Sequence, residues 1–352
     1  MTTTVPAGID YEGVSRYFAQ NIPGGDVPLT ISLISGGRSN LTYKVSSPQH
    51  DWVLRRPPLG HVLPTAHDMS REYKVIAGLA GTGVPVPRAV TICDDLSFNG
   101  APFYVMDYVE GVIIAEDLPA NYATTEEERR ALSLGLVETL VKLHAVDYEA
   151  VGLGDFGRPA GYLERQVRRW HEQWERSVTR PLPVIDELIR RLRNSIPESP
   201  APTIVHGDYR LGNMMMDPAK PGRVVAILDW EMATLGDPLS DLGYTLMYWT
   251  EPGDTPGSAP GSAATAKPGF LSRDELTQTY AKLSGRNVEH VDFYQVLAGY
   301  KLAVIIEGIH ARFLQGQTVG EGFEGYGERA EKLAYWALAL ADSSSNAKLR
   351  GE

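Results

Sequence analysis

IVHGDYRLGNMMMD (Ile204–Asp217) is followed closely by VVAILDWEMATLGDPLSDLG (Val224–Gly243), and these two segments carry the densest polar chemistry in the chain. In each segment a short apolar run of β-forming residues leads to an aspartate, Asp208 in the first and Asp229 in the second. Side chains that leave a strand end face a cleft rather than the ladder. A β-hairpin between Asn213 and Asp229 would return both residues to one end of the sheet. We therefore expect Asp208, Asn213 and Asp229 to lie within one small volume.

The chemistry of this set indicates phosphoryl transfer. The oxygen atoms of an Asn and an Asp suit a hard cation such as Mg²⁺, and the remaining Asp208 is free to accept a proton from a hydroxyl group. A single Asp or Asn in a loop is more often a turn former, and a lone His206 is more often a packed, hydrogen-bonded residue. A His-x-Asp metal hydrolase is a further alternative, but few other histidines are placed to complete its site. The order of the three residues along the chain favours the arrangement found in kinases, in which one aspartate accepts the proton and an asparagine and a second aspartate hold the metal.

Short β-forming runs dominate the first hundred residues, with turn residues between them. The runs predict five strands and, after Pro57-Pro58, one helix, in the order β-β-β-α-β-β. This order suits a small antiparallel sheet that carries one helix. The predicted strands are Thr30–Ile34, Leu41–Val45, Trp52–Leu54, Ala89–Ile92 and Phe103–Tyr108, and the helix is Ser70–Ala80.

The rest of the chain is mainly helical by periodicity, with a brief return to strands in its third quarter. The predicted helices are Glu126–Ala145, Tyr162–Ser177, Pro183–Ser195, Pro238–Thr250, Arg273–Leu283, Val291–Gln315 and Gly327–Ala341, and the strands are Thr203–Val205, Met214–Met216 and Val224–Leu228. The segment Pro252–Gly269 is rich in Gly, Pro, Ser and Ala. Its composition predicts a mobile surface loop or an insertion, because it offers little apolar surface to offset the entropy of ordering.

Composition limits the class of protein. The 352 residues suggest about two domains, with 43% hydrophobic and 22% charged residues, as in ordinary soluble proteins. A formal net charge of −11 argues against binding of nucleic acid or anionic membrane. The single cysteine, Cys93, excludes an intrachain disulfide, and neither a secretory leader nor a membrane span is recognisable. We expect a cytoplasmic protein with no nucleic-acid or membrane partner, and a homodimer is compatible with the sequence.

Together the motifs resemble the aminoglycoside phosphotransferase family, relatives of choline kinases and eukaryotic protein kinases. The chain is most similar to the kinase-like domains associated with acyl-CoA dehydrogenases, over roughly Ser32 to Gln315. The motifs that carry the resemblance are His206-Gly-Asp208-x-x-x-x-Asn213, Ile227-Leu-Asp229-Trp-Glu, Gly236-Asp-Pro-x-x-Asp241-Leu, Leu54-Arg-Arg-Pro-Pro58, Arg71-Glu-Tyr73, Tyr104-Val-Met-Asp-Tyr-Val-Glu-Gly111 and Arg165-Gln-x-x-x-Trp170.

The resemblance implies an α+β, protein-kinase-like bilobal fold that binds ATP and Mg²⁺ between its lobes. Residues 1–108 would form the small antiparallel β lobe and residues 109–352 the larger helical lobe. Asp208 matches the catalytic aspartate, which orients the acceptor hydroxyl and takes its proton. Asn213 and Asp229 match the Mg²⁺ ligands.

A second group of matches surrounds the nucleotide. Glu72 matches the glutamate that pairs with the phosphate-binding cation, and that cation is Arg55 here, where protein kinases have lysine. Arginine is a planar fork rather than a point charge, so the geometry is altered. The hinge between the lobes falls at Asp107 and Val109, whose backbone would bind adenine.

The loop Gly36, Gly37, Arg38, Ser39 and Asn40 lacks a complete G-x-G-x-x-G, yet its two glycines allow backbone amides to approach phosphate. A plain hairpin turn explains this loop equally well in isolation. Asp237-Pro238 predicts the N-cap and first residue of a helix.

The remaining three polar residues of the motifs are assigned supporting roles. Asp237 is structural, Asp241 buttresses the catalytic loop, and His206 positions that loop rather than acting as a base.

The acceptor is a small-molecule alcohol, and the sequence leaves its class open. A hydroxyacyl thioester of coenzyme A would need cations, which Arg165, Arg168, Arg169 and Arg176 could supply from one predicted helix; alternatively that helix is a solvated face paired with its own glutamates. An aminoglycoside or amino-alcohol would instead need carboxylates. A nucleotide-binding regulator without catalysis is the alternative from another class, motivated by Arg55 and the short glycine loop.

Overall fold

A computed structural model describes residues 5–35, 40–59, 68–254, 261, 263–318 and 322–352. Its N-terminal part is a five-stranded antiparallel sheet in the order β1-β2-β3-β5-β4. The strands are β1 (Thr30–Ser35), β2 (Leu41–Ser46), β3 (Asp51–Arg56), β4 (Ala89–Cys93) and β5 (Phe103–Asp107). All five predicted strands are present. Their ends agree with the prediction to within one residue, except that β3 ends two residues later because the ladder continues to Arg56.

The helix between β3 and β4, α2 (Met69–Leu79), begins where the Asp68 carboxylate accepts the backbone N–H groups of Ser70 and Arg71. This hydrogen bonding satisfies orphan amides of the first helical turn. The helix packs against β4 and β5 through Val75, Ile76 and Leu79, all buried. One face of the sheet is thereby covered.

The other face of the sheet is covered by α1 (Tyr11–Asn21), a helix absent from the prediction. Asp10 caps it, accepting the Gly13 N–H at 3.0 Å. Val14 and Phe18 are fully buried and belong to a separate core with sheet residues such as Tyr43 and Phe103. The sheet therefore has an apolar core on each side.

Beyond β5 the chain is mainly helical. The helices are α3 (Glu126–His144), α4 (Tyr162–Ser177), α5 (Pro183–Asn194), α6 (Leu239–Met247), α7 (Arg273–Ser284), α8 (Val291–Leu314), α9 (Tyr326–Asp342) and α10 (Ala347–Arg350). Each predicted helix is found, and α6 is shorter than predicted at its C-terminal end. The long helix α8 packs on α9, α6 and α4 and forms the centre of this part.

Two short sheets lie where the helical part meets the five-stranded sheet. The strand β7 (Thr203–Val205) pairs with β10 (Thr234–Gly236), and β6 (Val112–Ile113), β8 (Met214–Met216) and β9 (Val224–Ile227) form the other sheet. The α+β, bilobal kinase-like architecture is confirmed. The division after residue 108 falls between β5 and β6 and stays a prediction.

The segment 252–269 differs from the prediction in part. Residues 263–266 form a 3₁₀ turn whose Ala264 and Thr265 are buried, and Thr265 Oγ1 hydrogen-bonds to Thr250 N and O at 2.9 Å each. These two buried residues differ from a surface loop, and the mobility predicted for the rest of the segment stays a prediction. Residues 255–260 and 262 lie outside the described residues. Among the helices that the structure describes, none has both the length and the apolar character needed to cross a bilayer.

Candidate active site

Asp241, in the first turn of α6, holds the loop that carries Asp208. Its two carboxylate oxygens accept the backbone N–H groups of His206, at 2.7 Å, and Gly207, at 2.8 Å. Gly207 has a left-handed backbone (φ +82°), and a Cβ there would lie 2.7 Å from the Met232 carbonyl oxygen. Glycine is therefore required at this position, and a carboxylate fixes the loop immediately before Asp208.

His206 connects the two aspartate-bearing segments. Its Nε2–H donates to the Leu228 carbonyl oxygen at 2.9 Å, so Nδ1 is the acceptor for the Asp208 N–H at 3.2 Å. The ring is fully buried and packs on Trp230, with 4.7 Å between centroids. Both ring nitrogens are occupied by backbone, which suits a positioning role and leaves neither free to act as a base.

The predicted hairpin brings Asn213 to Asp208 and to the end of β9. The Asn213 amide Nδ2 donates to Asp208 Oδ2 at 2.7 Å and to the Asp208 carbonyl at 2.8 Å. The Asn213 carbonyl accepts the Leu228 N–H at 2.9 Å. The expected cluster of Asp208, Asn213 and Asp229 is thus present around one strand end.

Asp229 lies at that strand end in a strained backbone conformation. Its φ of 64° is one of two positive values recorded for non-glycine residues in the described part of the chain. One carboxylate oxygen, Oδ1, accepts Arg55 Nη2 at 2.6 Å. Asp229 and Asn213 line the same cavity, and the Asn213 amide directs its oxygen away from Asp208. Two oxygen donors facing one cavity fit a Mg²⁺ ion completed by phosphate and water.

Arg55 joins β3 to both the metal-side aspartate and α2. Besides Asp229, its Nε lies 3.2 Å from Glu72 Oε2. Glu72 is 1% exposed and also accepts Tyr104 OH at 3.0 Å and Asn40 Nδ2 at 2.5 Å. The predicted Arg55–Glu72 pairing is present in the structure, while the direct Arg55–Asp229 contact was not foreseen.

Burial sets the protonation of this cluster. It raises the pKa of Glu72 to about 7, although the Arg55 guanidinium pulls the pKa in the opposite direction. Burial opposes the charge on Arg55, but Glu72, Tyr104 and Asp229 together raise its pKa. Arg55 is therefore a permanent cation, whereas Glu72 exchanges a proton near neutral pH.

This assignment predicts a pH-dependent stability. Between pH 4.5 and 7 the folded protein keeps a proton on Glu72 that the unfolded chain has released, so this contribution is complete below pH 4.5 and is lost as the pH rises through about 7. Relative to Glu72→Gln, the free energy of unfolding of the wild type should fall by up to about 1.4 kcal/mol per pH unit in that window. Urea titrations from pH 4 to 8 measure it, and parallel curves for the two proteins would contradict the raised pKa.

A cavity of about 380 Å³ separates the five-stranded sheet from the helical part. Val53 lines the cavity from the five-stranded sheet, and Met215 and Leu228 line it from the other part of the chain. Its polar groups come from Asn40, Arg55, Asn213 and Asp229. A mainly apolar cleft of this size with a few polar groups at one end is typical of a cofactor site. The apolar lining could accept a nucleobase, and Arg55 lies where it could meet phosphate oxygens.

The predicted hinge borders this cavity at Asp107 and Val109. The Asp107 N–H donates to the Arg88 carbonyl at 2.9 Å, so of its backbone groups only the carbonyl can serve adenine. The Asp107 side chain pairs with Arg88 and His50 at the surface. Gly36, Gly37, Arg38 and Ser39 lie outside the described residues, and Asn40 faces Glu72 rather than open solvent.

Asp237 makes contacts that suit the predicted structural role, although its predicted place in the helix cap is wrong. The helix α6 begins at Leu239, so the N-cap is Pro238 and not Asp237. The Asp237 carboxylate still accepts the Leu239 N–H at 3.0 Å, and it accepts Tyr294 OH at 2.7 Å. The helix starts one residue later than predicted because its first turn closes through i→i+3 hydrogen bonds, from the Ser240 N–H to the Asp237 carbonyl and from the Asp241 N–H to the Pro238 carbonyl.

Three cations that the sequence analysis missed surround the cluster. Arg210 Nε lies 3.2 Å from Asp208 Oδ1. Arg71 Nη2 donates to the Phe156 and Ala233 carbonyls, at 2.9 and 3.1 Å, and so ties α2 to the segment after Asp229. Lys301, in the middle of α8, reaches the Gly207 carbonyl at 2.9 Å. The last had a signal in the sequence, namely a lone lysine in a strongly apolar helix.

The predicted basic helix, α4, has most of its arginines engaged. Arg168 and Arg176 both pair with Glu172, at 3.8 and 3.7 Å, and Arg165 donates to the Ala160 and Arg158 carbonyls. These contacts favour the interpretation of a helix paired with its own glutamates for two of the four arginines, and the third, Arg165, is engaged by backbone carbonyls.

Comparisons with known proteins agree with this geometry. The model of the phosphotransferase enzyme family (APH) matches residues 30–276. Acyl-CoA dehydrogenase family member 11 of Rattus norvegicus is 35% identical over 340 residues, 94% of this chain and 43% of that protein. Family member 10 of Mus musculus is 32% identical over 316 residues, 89% of this chain and 29% of that protein. The chain thus spans less than half the length of these relatives.

Solved structures show the same fold. An aminoglycoside phosphotransferase-type protein of Ralstonia eutropha superposes with a TM-score of 0.83 at 33% identity, covering 96% of this chain and all of that one. The GDP complex of aminoglycoside 2'-phosphotransferase-IIIa gives a TM-score of 0.63 at 18% identity, covering 94% and 99%. A choline/ethanolamine kinase family protein of Mesorhizobium loti gives 0.61 at 16% identity, covering 97% of both chains.

Proposed function

Because the chain belongs to the phosphotransferase enzyme family, we propose that it transfers the γ-phosphoryl group of ATP, with Mg²⁺, to a hydroxyl group of a small molecule. One observation carries the proposal: Arg55 contacts both Glu72 and Asp229 at the end of the cavity where Asn213 is paired with Asp208. Such a set serves phosphoryl transfer, which depends on positioning and on neutralising charge.

Each residue has a task in this reaction. Arg55 binds phosphate oxygens and keeps α2 in place through Glu72. Asn213 and Asp229 would hold Mg²⁺, which neutralises phosphate charge when bound. Asp208 accepts the proton of the acceptor hydroxyl, and its carboxylate is oriented by the Asn213 amide. Arg71 holds the backbone that follows Asp229 against α2.

For the acceptor we favour a hydroxyacyl thioester of coenzyme A or another small metabolite over an aminoglycoside. The names of the sequence relatives support acyl chemistry, although they refer to proteins of which this chain covers less than half. A cation beside Asp208, on the side away from the cavity, supports the same choice of acceptor. Arg210 lies there over the Tyr248 ring, 5.1 Å from its centroid. A polycationic antibiotic would be repelled by this cation.

The direct Arg55–Asp229 contact supports the second candidate, a nucleotide-binding regulator. An arginine that occupies one oxygen of a metal ligand opposes metal binding until phosphate draws it away. The regulator predicts stabilisation by ATP that does not depend on Mg²⁺ and no phosphorylated product. The phosphotransferase predicts stabilisation that requires both.

The test is a panel of alcohols incubated with Mg-ATP and analysed by mass spectrometry for addition of one phosphoryl group. Hydroxyacyl-CoA thioesters are expected to be phosphorylated and aminoglycosides to remain unchanged. Asp208→Asn is the matched control, since it keeps the side-chain shape. Product with aminoglycosides alone would overturn the acceptor class. Absence of any product, with no thermal stabilisation by Mg-ATP, would overturn the phosphotransferase proposal itself.

A further inference from the structure

Lys301 is a half-buried cation among aromatic side chains. It lies midway along α8 between the buried residues Tyr300 and Leu302, and its side chain passes between α4 and α6. A charge in such a place is costly unless it is paired or hydrogen-bonded. The ammonium group of Lys301 therefore needs a hydrogen-bond acceptor close to it.

Its partner is the peptide group that precedes Asp208. Lys301 Nζ donates to the Gly207 carbonyl oxygen at 2.9 Å. The N–H of this same peptide belongs to Asp208 and donates to His206 Nδ1 at 3.2 Å. One peptide plane is thus held at both of its polar atoms, and Asp208 is attached directly to it.

The groups around the ammonium tune its charge. Trp170 of α4 and Tyr244 of α6 present their rings at 5.5 and 4.6 Å. Of the charged groups that face it, Asp208 and Asp241 attract the ammonium, and Arg169 of α4 repels it. Tyr162 and Tyr294 line the same small cavity. Burial is the dominant influence and lowers the pKa of Lys301 to about 8.

We propose that Lys301 is a positioning residue for phosphoryl transfer, whose ammonium charge orients the Gly207–Asp208 peptide and so aims the Asp208 carboxylate at the acceptor hydroxyl. The inference rests on the proposed function and adds a group 94 residues distant in sequence to it. A protonated ammonium makes a charge-assisted hydrogen bond, about twice as strong as that of the neutral amine. The orientation of Asp208 should therefore weaken when Lys301 loses its proton.

Two variants separate charge from packing. Lys301→Met keeps the apolar length and removes the charge, while Lys301→Arg keeps a charge that does not titrate in the accessible range. A cavity of about 40 Å³ beside Lys301, lined by Gln166 and Ser240 among others, gives the larger guanidinium room. Because Lys301→Met leaves the Gly207 carbonyl without its side-chain donor, a modest fall in melting temperature is expected, and Lys301→Arg, which keeps a donor, should recover most of it.

The first readout is the pH profile of ADP formation from Mg-ATP with water as acceptor. Lys301→Met should lower the turnover rate about 10- to 100-fold, as for a misplaced catalytic group, with KM for ATP unchanged. The wild-type rate should fall as the pH rises through about 8. In Lys301→Arg this fall should move upward by roughly one pH unit or more, because arginine stays protonated. An unchanged profile in Lys301→Arg would overturn the proposal.

The second readout does not depend on activity. Hydrogen–deuterium exchange of the peptide covering residues 204–210 should be faster in Lys301→Met than in the wild type and should return toward the wild-type rate in Lys301→Arg. Equal exchange in all three proteins would overturn the positioning role, even if turnover were normal. If exchange were faster in Lys301→Met than in the wild type but the wild type formed no product, the positioning role would stand and the proposed function would be rejected.

Discussion

Replacement of Asp208 by alanine is expected to lower phosphoryl transfer about 10²- to 10⁴-fold, the usual contribution of a positioned base. The carboxylate is 19% exposed and is held by the Asn213 amide and Arg210, so it is both oriented and accessible to an acceptor. Without it, the acceptor hydroxyl has neither a partner for its proton nor a fixed direction of attack.

Binding of Mg-ATP should survive the Asp208→Ala change, because the nucleotide cavity is lined by Asn213 and Asp229 and not by Asp208. Thermal stabilisation by Mg-ATP at about 100 times its Kd should remain near 2.7 kcal/mol in wild type and variant. Asp117→Ala, which removes a surface carboxylate paired with Lys267, controls for the change in charge. Undiminished product formation by Asp208→Ala would exclude Asp208 as the base.

Replacement of Arg55 by alanine should affect both stability and nucleotide binding. The change removes the guanidinium that bridges Glu72 and Asp229, and Glu72 then stays protonated, so the free energy of unfolding should fall by about 1–3 kcal/mol, the cost of the lost charged hydrogen bonds. It also removes the cation nearest the proposed phosphate site, so affinity for Mg-ATP should fall about 10- to 100-fold, the value of a charged hydrogen bond. Urea denaturation and calorimetric titration with Mg-ATP measure the two effects.

The neighbouring Arg56 provides the matched control. Both arginines of β3 are 8% exposed, but Arg56 points to the opposite side and donates to the Gly8 and Pro57 carbonyls. Arg56→Ala should reduce stability without changing nucleotide affinity. Arg55→Lys should lie between Arg55→Ala and wild type, because a point charge does not span Glu72 and Asp229 as a planar fork does. Equal nucleotide affinity in Arg55→Ala and Arg56→Ala would show that Arg55 does not bind phosphate.

Local patterns were sufficient for most elements of the fold. The strands of the sheet follow alternating β-forming runs between turn residues, and the helices of the second part follow apolar periodicity. The helix α1 was missed although Val14, Tyr17 and Phe18 have helical spacing after the cap Asp10. The strand β10 has only three residues, and its pairing with β7 depends on a contact distant in sequence.

The candidate site likewise contains residues that sequence spacing could group and contacts that it could not. The grouping of Asp208, Asn213 and Asp229 follows from one hairpin, a short-range feature that spacing alone indicates. Lys301 reaches Gly207 only through the packing of α8 on α4 and α6, and no local pattern reports that contact. The Arg55–Asp229 contact likewise joins residues 174 positions apart. Tertiary packing, not propensity, determined what could not be predicted.

The covering of the sheet by α1 has a consequence for how the family is delimited. The family model matches residues 30–276, which excludes α1 at one end and α8 and α9 at the other. A chain trimmed to those limits would keep Asp208, Asn213 and Asp229 yet lose five of the 14 buried residues in the core between α1 and the sheet, and the whole of α8. The segment matched by the family model is therefore shorter than the set of elements that pack together, and a truncated or fused protein should retain α1 and α8.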